Sequence, residues 1–138
     1  SQQFTHELIY SLAYLGDDLV SVVADGYDFT ATAAHPNSYR LSYVYSLSSG
    51  DRLKLADLLP AGYEEQLTNA VVEQIKRSGE EANYFPDYQT LVQAALANEN
   101  WYIKNNMIYL VFNPYEIGPY AMGILEFPYE YQPSPAEG

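Results

Sequence analysis

The sequence predicts an α+β domain in which two helices pack on one face of a single antiparallel sheet, in the order strands, helices, strands. Three observations carry that prediction. Residues 39–47 alternate with a period of two, residues 63–75 and 88–96 carry apolar stripes at helical spacing, and short strand-like runs return from Trp101 onward. A length of 138 residues suits one domain. A chain of about 150 residues buries roughly 68–70% of the surface its unfolded form exposes, enough for a real core. We read residues 1–131 as that domain. Residues 132–138 carry Pro133 and Pro135 without apolar periodicity and read as a flexible tail.

The elements follow in order. Leu8–Leu15 and Leu19–Phe29 flank Gly16-Asp17-Asp18, which suits a β-hairpin turn. In the next strand Tyr39, Leu41, Tyr43, Tyr45 and Leu47 share one face, while Arg40, Ser42 and Ser46 share the other. That alternation is what a half-buried antiparallel strand requires, with the apolar face inward. Ser48-Ser49-Gly50-Asp51 turns the chain into a short segment, Arg52–Leu55. Tyr63, Leu67, Ala70, Val71 and Ile75 then form a helical stripe, with Glu64 and Glu65 near its start and Lys76 and Arg77 near its end, as the helix dipole favours. Gly79 supplies its stop. Asp87 is positioned as the N-cap of a second stripe, Tyr88, Leu91, Val92, Ala95 and Leu96. Trp101–Lys104 and Met107–Phe112 are joined by Asn105-Asn106, residues that tolerate the positive φ of a type I′ turn. Gly123–Phe127 forms the last strand, and Pro128 limits its pairing.

Composition excludes several function classes. Eighteen acidic against six basic residues give a net charge of −12, so a phosphate-tracking footprint is absent and nucleic acid is not an expected partner. A cationic partner would instead be steered toward such a surface. Zero cysteines remove disulfides, thiolate metal sites and a Cys nucleophile. The longest apolar run, Met107–Phe112, is far short of the roughly 20 residues that span a bilayer, so this segment is not expected to insert into a membrane.

Catalytic signals are weak. His6 and His35 are far apart without metal-ligand spacing, and neither a GxSxG elbow nor a Gly-rich phosphate loop occurs. Carboxylate pairs such as Asp25 with Asp28, or Glu116 with Glu126, are expected by chance among so many acids. The reading is therefore of a non-enzyme without catalytic residues, metal or cofactor. The most informative stretch is Asn113-Pro114-Tyr115-Glu116-Ile117-Gly118-Pro119-Tyr120. Asn113 is placed to cap, Pro114 to open a helical turn, and Glu116 to reach back to the cap N–H. Gly118 is placed to take a left-handed conformation, and Pro119 to block continuation. Tyr115, Glu116 and Tyr120, with Trp101 and Tyr102, are the candidate partner-binding residues, because Tyr and Trp combine large contact area with a polar edge.

Three segments in order carry a family resemblance. Phe112-Asn113-Pro114-Tyr115-Glu116-Ile117-Gly118-Pro119-Tyr120-Ala121-Met122-Gly123 resembles the closing motif of the RsiV-type C-terminal domain, originally catalogued as a domain of unknown function. Asp25-Gly26-Tyr27 through Ala34-His35-Pro36-Asn37 is similar to its strand-and-turn segment. Leu47–Leu59, which contains Ser49-Gly50-Asp51 and Asp57-Leu58-Leu59, is similar to its turn, short strand and Asp-Leu segment. The resemblance spans roughly residues 7–130. It implies a bacterial extracellular or cell-envelope domain, found in anti-sigma factors or beside polysaccharide-deacetylase domains, with at least one member that senses lysozyme by binding it. The expected partner is then a cationic, lysozyme-like protein, with a peptidoglycan or other cell-wall glycan as the alternative.

Overall fold

The alternating N-terminal residues do form long strands, and among the described strands these pair only with one another. The computed structural model describes residues 4–30 and 36–131. Strands β1 (Phe4–Leu15), β2 (Leu19–Thr30) and β3 (Asn37–Ser46) pair antiparallel in the order β1-β2-β3, here called sheet A. A bulge between Leu12 and Tyr14 shifts the register near the first turn. A second antiparallel sheet, B, consists of β4 (Trp101–Lys104), β5 (Met107–Phe112) and β6 (Leu125–Glu130), in the order β4-β5-β6. Between the sheets in sequence lie α1 (Leu55–Leu58), α2 (Tyr63–Ser78) and α3 (Tyr88–Ala95).

The α+β class therefore holds, but the single sheet with two helices does not: the described residues form two three-stranded sheets and three helices. The physical reason lies at the outer edge of β3, where no position is left for a fourth strand. The backbone N–H of Arg40 donates to Asn113 Oδ1, and its carbonyl accepts from Asn113 and Asn100. The Arg52 guanidinium donates to the Ser42 carbonyl, the Leu53 N–H to the Val44 carbonyl, and the Ser46 N–H to the Asp51 carbonyl. With that edge filled by side chains and a returning loop, β4 crosses sheet A instead of extending it, touching all three of its strands.

The crossing is stitched by a side chain. Ser21, fully buried near the start of β2, donates to the Ile103 carbonyl at 2.7 Å and accepts the Ile103 N–H at 3.1 Å. One hydroxyl thus satisfies both backbone groups of Ile103 on the free edge of β4. This inverts the expected orientation of β3. Arg40, Ser42 and Val44 face sheet B, and Tyr39, Leu41, Tyr43 and Tyr45 face away from it. A period of two specifies the alternation but not which face is covered, and here hydrogen bonds rather than apolar area decided it.

The main core lies on the other side of sheet B. Leu67, Val71 and Ile75 of α2 and Tyr88 and Val92 of α3 pack with Trp101, Ile108, Leu110, Phe112 and Phe127. Gly79 takes the left-handed conformation that ends α2. Asn105 and Asn106 both have positive φ in the β4–β5 turn, as a type I′ turn demands. Asp87 precedes α3 without a side-chain capping bond. The last strand starts two residues later than Gly123 and continues through Pro128. It does so because β6 is an edge strand, whose missing proline N–H costs the ladder nothing. Glu99 ties α1 to β4, its carboxylate accepting from the Leu55 N–H at 2.8 Å and the Trp101 indole at 3.0 Å.

Candidate functional site

Asp25 and Asp28, which looked like a chance pair in the sequence, are separated by the one strand that carries them. They lie on opposite faces of β2, where Asp28 meets His6 across the β1–β2 ladder and Asp25 meets Arg40 across the β2–β3 ladder. Arg40 Nε and Nη2 donate to both Asp25 oxygens at 2.7 and 3.1 Å, and Nη1 donates to Glu126 of β6. The second Glu126 oxygen accepts the Tyr102 hydroxyl at 2.6 Å. The hydrogen bond to Asp25 is the largest of the effects that drive the Arg40 pKa further upward. Burial, reinforced by Glu126, does the same for the Tyr102 phenol. All four carboxylate oxygens are thus committed to donors, and the cluster clamps the two sheets together.

The 113–123 connection differs from a capped helical turn. Asn113 spends its amide on the backbone of Arg40, and Tyr115 takes a left-handed φ of 73°. That conformation is uncommon for a bulky residue. Gly118 is needed for space rather than for φ, since a Cβ there would sit 2.7 Å from Met122 Sδ. Pro119 precedes a single 3₁₀ turn, Tyr120–Met122, and Gly123 takes a positive φ of 69° after it. The Tyr115 ring is exposed, 5.8 Å from the Tyr120 ring, and Tyr120 donates to the Pro36 carbonyl at 2.6 Å. Glu116 is half-buried; burial pushes its carboxyl pKa up, with the Asn113 N–H pulling the other way. Tyr115, Glu116 and Tyr120 therefore belong to one surface loop. Trp101 and Tyr102 do not join them: their rings are 2% and 9% exposed, Trp101 within the core and Tyr102 stacked on Tyr109, out of a partner's reach. His35 and residues 132–138 lie outside the described residues.

A cleft of about 370 Å³ opens at the opposite end of sheet A. Leu19, Leu53, Leu58 and Ile103 form its apolar lining and Tyr14 and Tyr131 its aromatic lining, with Asp17, Asp18, Ser46, Ser48 and Asn106 also bordering it. The hairpin turn places both aspartates here, and neither makes an ion pair with another described residue. Volume and lining match a small-ligand or side-chain pocket. Carboxylates beside Tyr rings favour a cationic group over an anionic one. Sequence reasoning read Asp17 and Asp18 only as turn formers. Nothing local indicates that Tyr131, 113 positions further along the chain than Asp18, returns to the same cleft. Among the described residues no group of three His, Cys, Asp or Glu is gathered as metal ligands, and no helix is long and apolar enough to cross a membrane.

Comparison with known proteins places this architecture among relatives. A family model described as a protein of unknown function, DUF3298, matches residues 56–132. A crystal structure of a family member from Bacteroides fragilis superposes with a TM-score of 0.69 at 22% identity, covering 94% of this chain and 51% of that one. A second, from Pseudomonas aeruginosa, gives 0.67 at 20% identity, with 96% and 59% covered. The chain thus spans a little over half the length of the solved structures it matches, and the likeness is one of fold. No curated protein matches.

Proposed function

We propose that this chain, which belongs to the DUF3298 family of proteins of unknown function, is a non-enzymatic binding domain whose cleft receives a basic side chain of a cationic protein. The observation that carries this reading is that Asp17 and Asp18, ion-paired with no other described residue, stand with Tyr14 and Tyr131 around one cleft. A Lys or Arg side chain matches it twice over, its methylenes against the apolar lining and its charge beside the carboxylates and ring faces. The net charge of −12 supports the same partner, because it accelerates the approach of a cation. The RsiV-type resemblance makes a basic lysozyme the first protein to try and an extracellular or cell-envelope location the setting.

Titrating the chain with a basic animal-type lysozyme at low and at physiological salt tests this. Binding that weakens as salt rises supports the reading, and no binding at micromolar concentrations in either buffer rejects the lysozyme version. A cell-wall glycan is the second reading, favoured by Tyr14 and Tyr131 beside Asp, Asn and Ser groups. Retention on insoluble cell wall in high salt, where stacking persists and charge steering fades, would select it.

A further inference from the structure

The face of sheet A turned away from sheet B is apolar, and no described element packs over it. Four cross-strand rows make it up: Leu15–Val20–Tyr45, Leu12–Val22–Tyr43, Tyr10–Ala24–Leu41 and Leu8–Gly26–Tyr39. No charged side chain stands in these rows, on a chain of net charge −12. The guanidinium of Arg52 lies against the Tyr43 ring at the β3 margin, and the next row begins with the His6–Asp28 pair. Tyr10, Leu12 and Leu15 are 62–63% exposed, and Leu8 and Leu41 more than a third. At roughly 200 Å² for a fully exposed large side chain, these five alone leave about 500 Å² of apolar surface in water. The half-buried Val20, Val22, Tyr43 and Tyr45 carry the face toward the roughly 800 Å² that each partner contributes to a stable interface.

The relief of this face is self-complementary. Along β2 the residues are short, Val20, Val22 and Ala24, and β1 and β3 raise ridges of Leu and Tyr on either side. Strands spaced about 4.8 Å apart set the ridges about 10 Å from one another, which leaves a trough one strand wide. Tyr39 closes its far end by lying over Gly26, where even a Cβ would meet the ring at 2.1 Å. The ridge of β1 is the most exposed part of the face, and it has the length and chemistry to fill such a trough.

We propose that a second copy of the chain covers this face, the β1 ridge of each copy seated in the β2 trough of the other. Such an exchange is isologous, so a single two-fold axis closes it and leaves no unpaired surface to propagate. Two sheets packed this way stand about 10 Å apart with aligned strands, as in a β-sandwich. Charge selects this occupant over a cationic protein, which would find no carboxylate within the four rows. The pairing sets uncharged rows against uncharged rows and leaves Asp17, Asp18 and Asp28 at the rim, where water still reaches them.

The test is the mass of the chain in solution, by light scattering or sedimentation from about 1 to 100 μM. The proposal expects twice the 15.6 kDa of one chain, dissociating on dilution. Tyr10→Glu combined with Leu12→Glu should raise the dimer dissociation constant by at least 100-fold, while Thr90→Glu on α3 leaves it unchanged. The milder Leu12→Asn, with its fold verified by circular dichroism, should weaken the dimer in the same direction and decides the matter should the double variant not fold. A chain monomeric throughout the range overturns the proposal. So does a dimer that survives folded β1 variants at full strength, because it would use another surface.

Discussion

Two buried serines on the same face of sheet A should respond in opposite ways to losing their hydroxyls. Ser21 holds both backbone groups of Ile103, whereas Ser42 Oγ is buried without a hydrogen-bond partner among the described residues. Ser21→Ala orphans a buried N–H and a buried C=O on the free edge of β4, at about 1–3 kcal/mol each, or about 2–6 kcal/mol together. In a domain of this length each kcal/mol lowers Tm by roughly 3–4 °C, so the variant should melt about 10 °C below the parent. Ser42→Ala removes an unsatisfied polar atom and should fall within about 0.5 kcal/mol of the parent or above it. Urea unfolding at a fixed chain concentration reads both, the shared concentration removing any contribution from association. Equal losses for the two variants, or a loss below about 0.5 kcal/mol for Ser21→Ala, would refute the stitching role given to Ser21.

Three further outcomes are expected. Arg40→Leu leaves Asp25 and Glu126 without their shared cation and should cost on the order of 2 kcal/mol at neutral pH; paired melts of variant and parent check it. Glu116 has a folded-state pKa above its unfolded one, so the folded state binds the proton more tightly and stability falls as pH rises through that window. Glu116→Gln should therefore be the more stable protein at pH 7, with the gap closing below the ordinary Glu range, as denaturation at pH 7 and pH 4 would show. Gly26→Ala must push the Tyr39 ring off the sheet and should cost about 1–3 kcal/mol, more than Gly118→Ala, whose Cβ crowds the flexible end of Met122 and meets Tyr84 at ordinary contact distance; the comparison needs only thermal melts.

What was legible in the sequence was local. The stripe of Leu67, Val71 and Ile75, the stop at Gly79 and the turn at Asn105-Asn106 each depend on neighbours within a few residues, and each is found where expected. The division into two sheets was not legible, because it depends on what fills the edge of β3. Asn113 reaches that edge from 73 positions away and Asn100 from 60. Asn113 reads as a helix cap in one dimension because the same amide that caps a helix also mimics a strand neighbour. The orientation of β3 failed for a related reason. Its polar face is the covered one, since Ser42 and Arg40 lie at the seam, while its tyrosines carry apolar area with nothing of the described chain to place it against. The surface loop of Tyr115, Glu116 and Tyr120 was readable as a unit, but the cleft was not, because Tyr14, Asp17, Asn106 and Tyr131 meet only after both sheets have formed.

The central claim is that a cationic protein is held at that cleft, and mapping amide chemical shifts during a lysozyme titration tests it most directly. The account predicts salt-sensitive perturbations concentrated at Tyr14 to Leu19, Ser46 to Ser48, Asn106 and Tyr131, and their loss in the Asp17→Asn, Asp18→Asn double variant. Binding that leaves these residues unmoved and perturbs the helices or the 113–123 loop instead would contradict it.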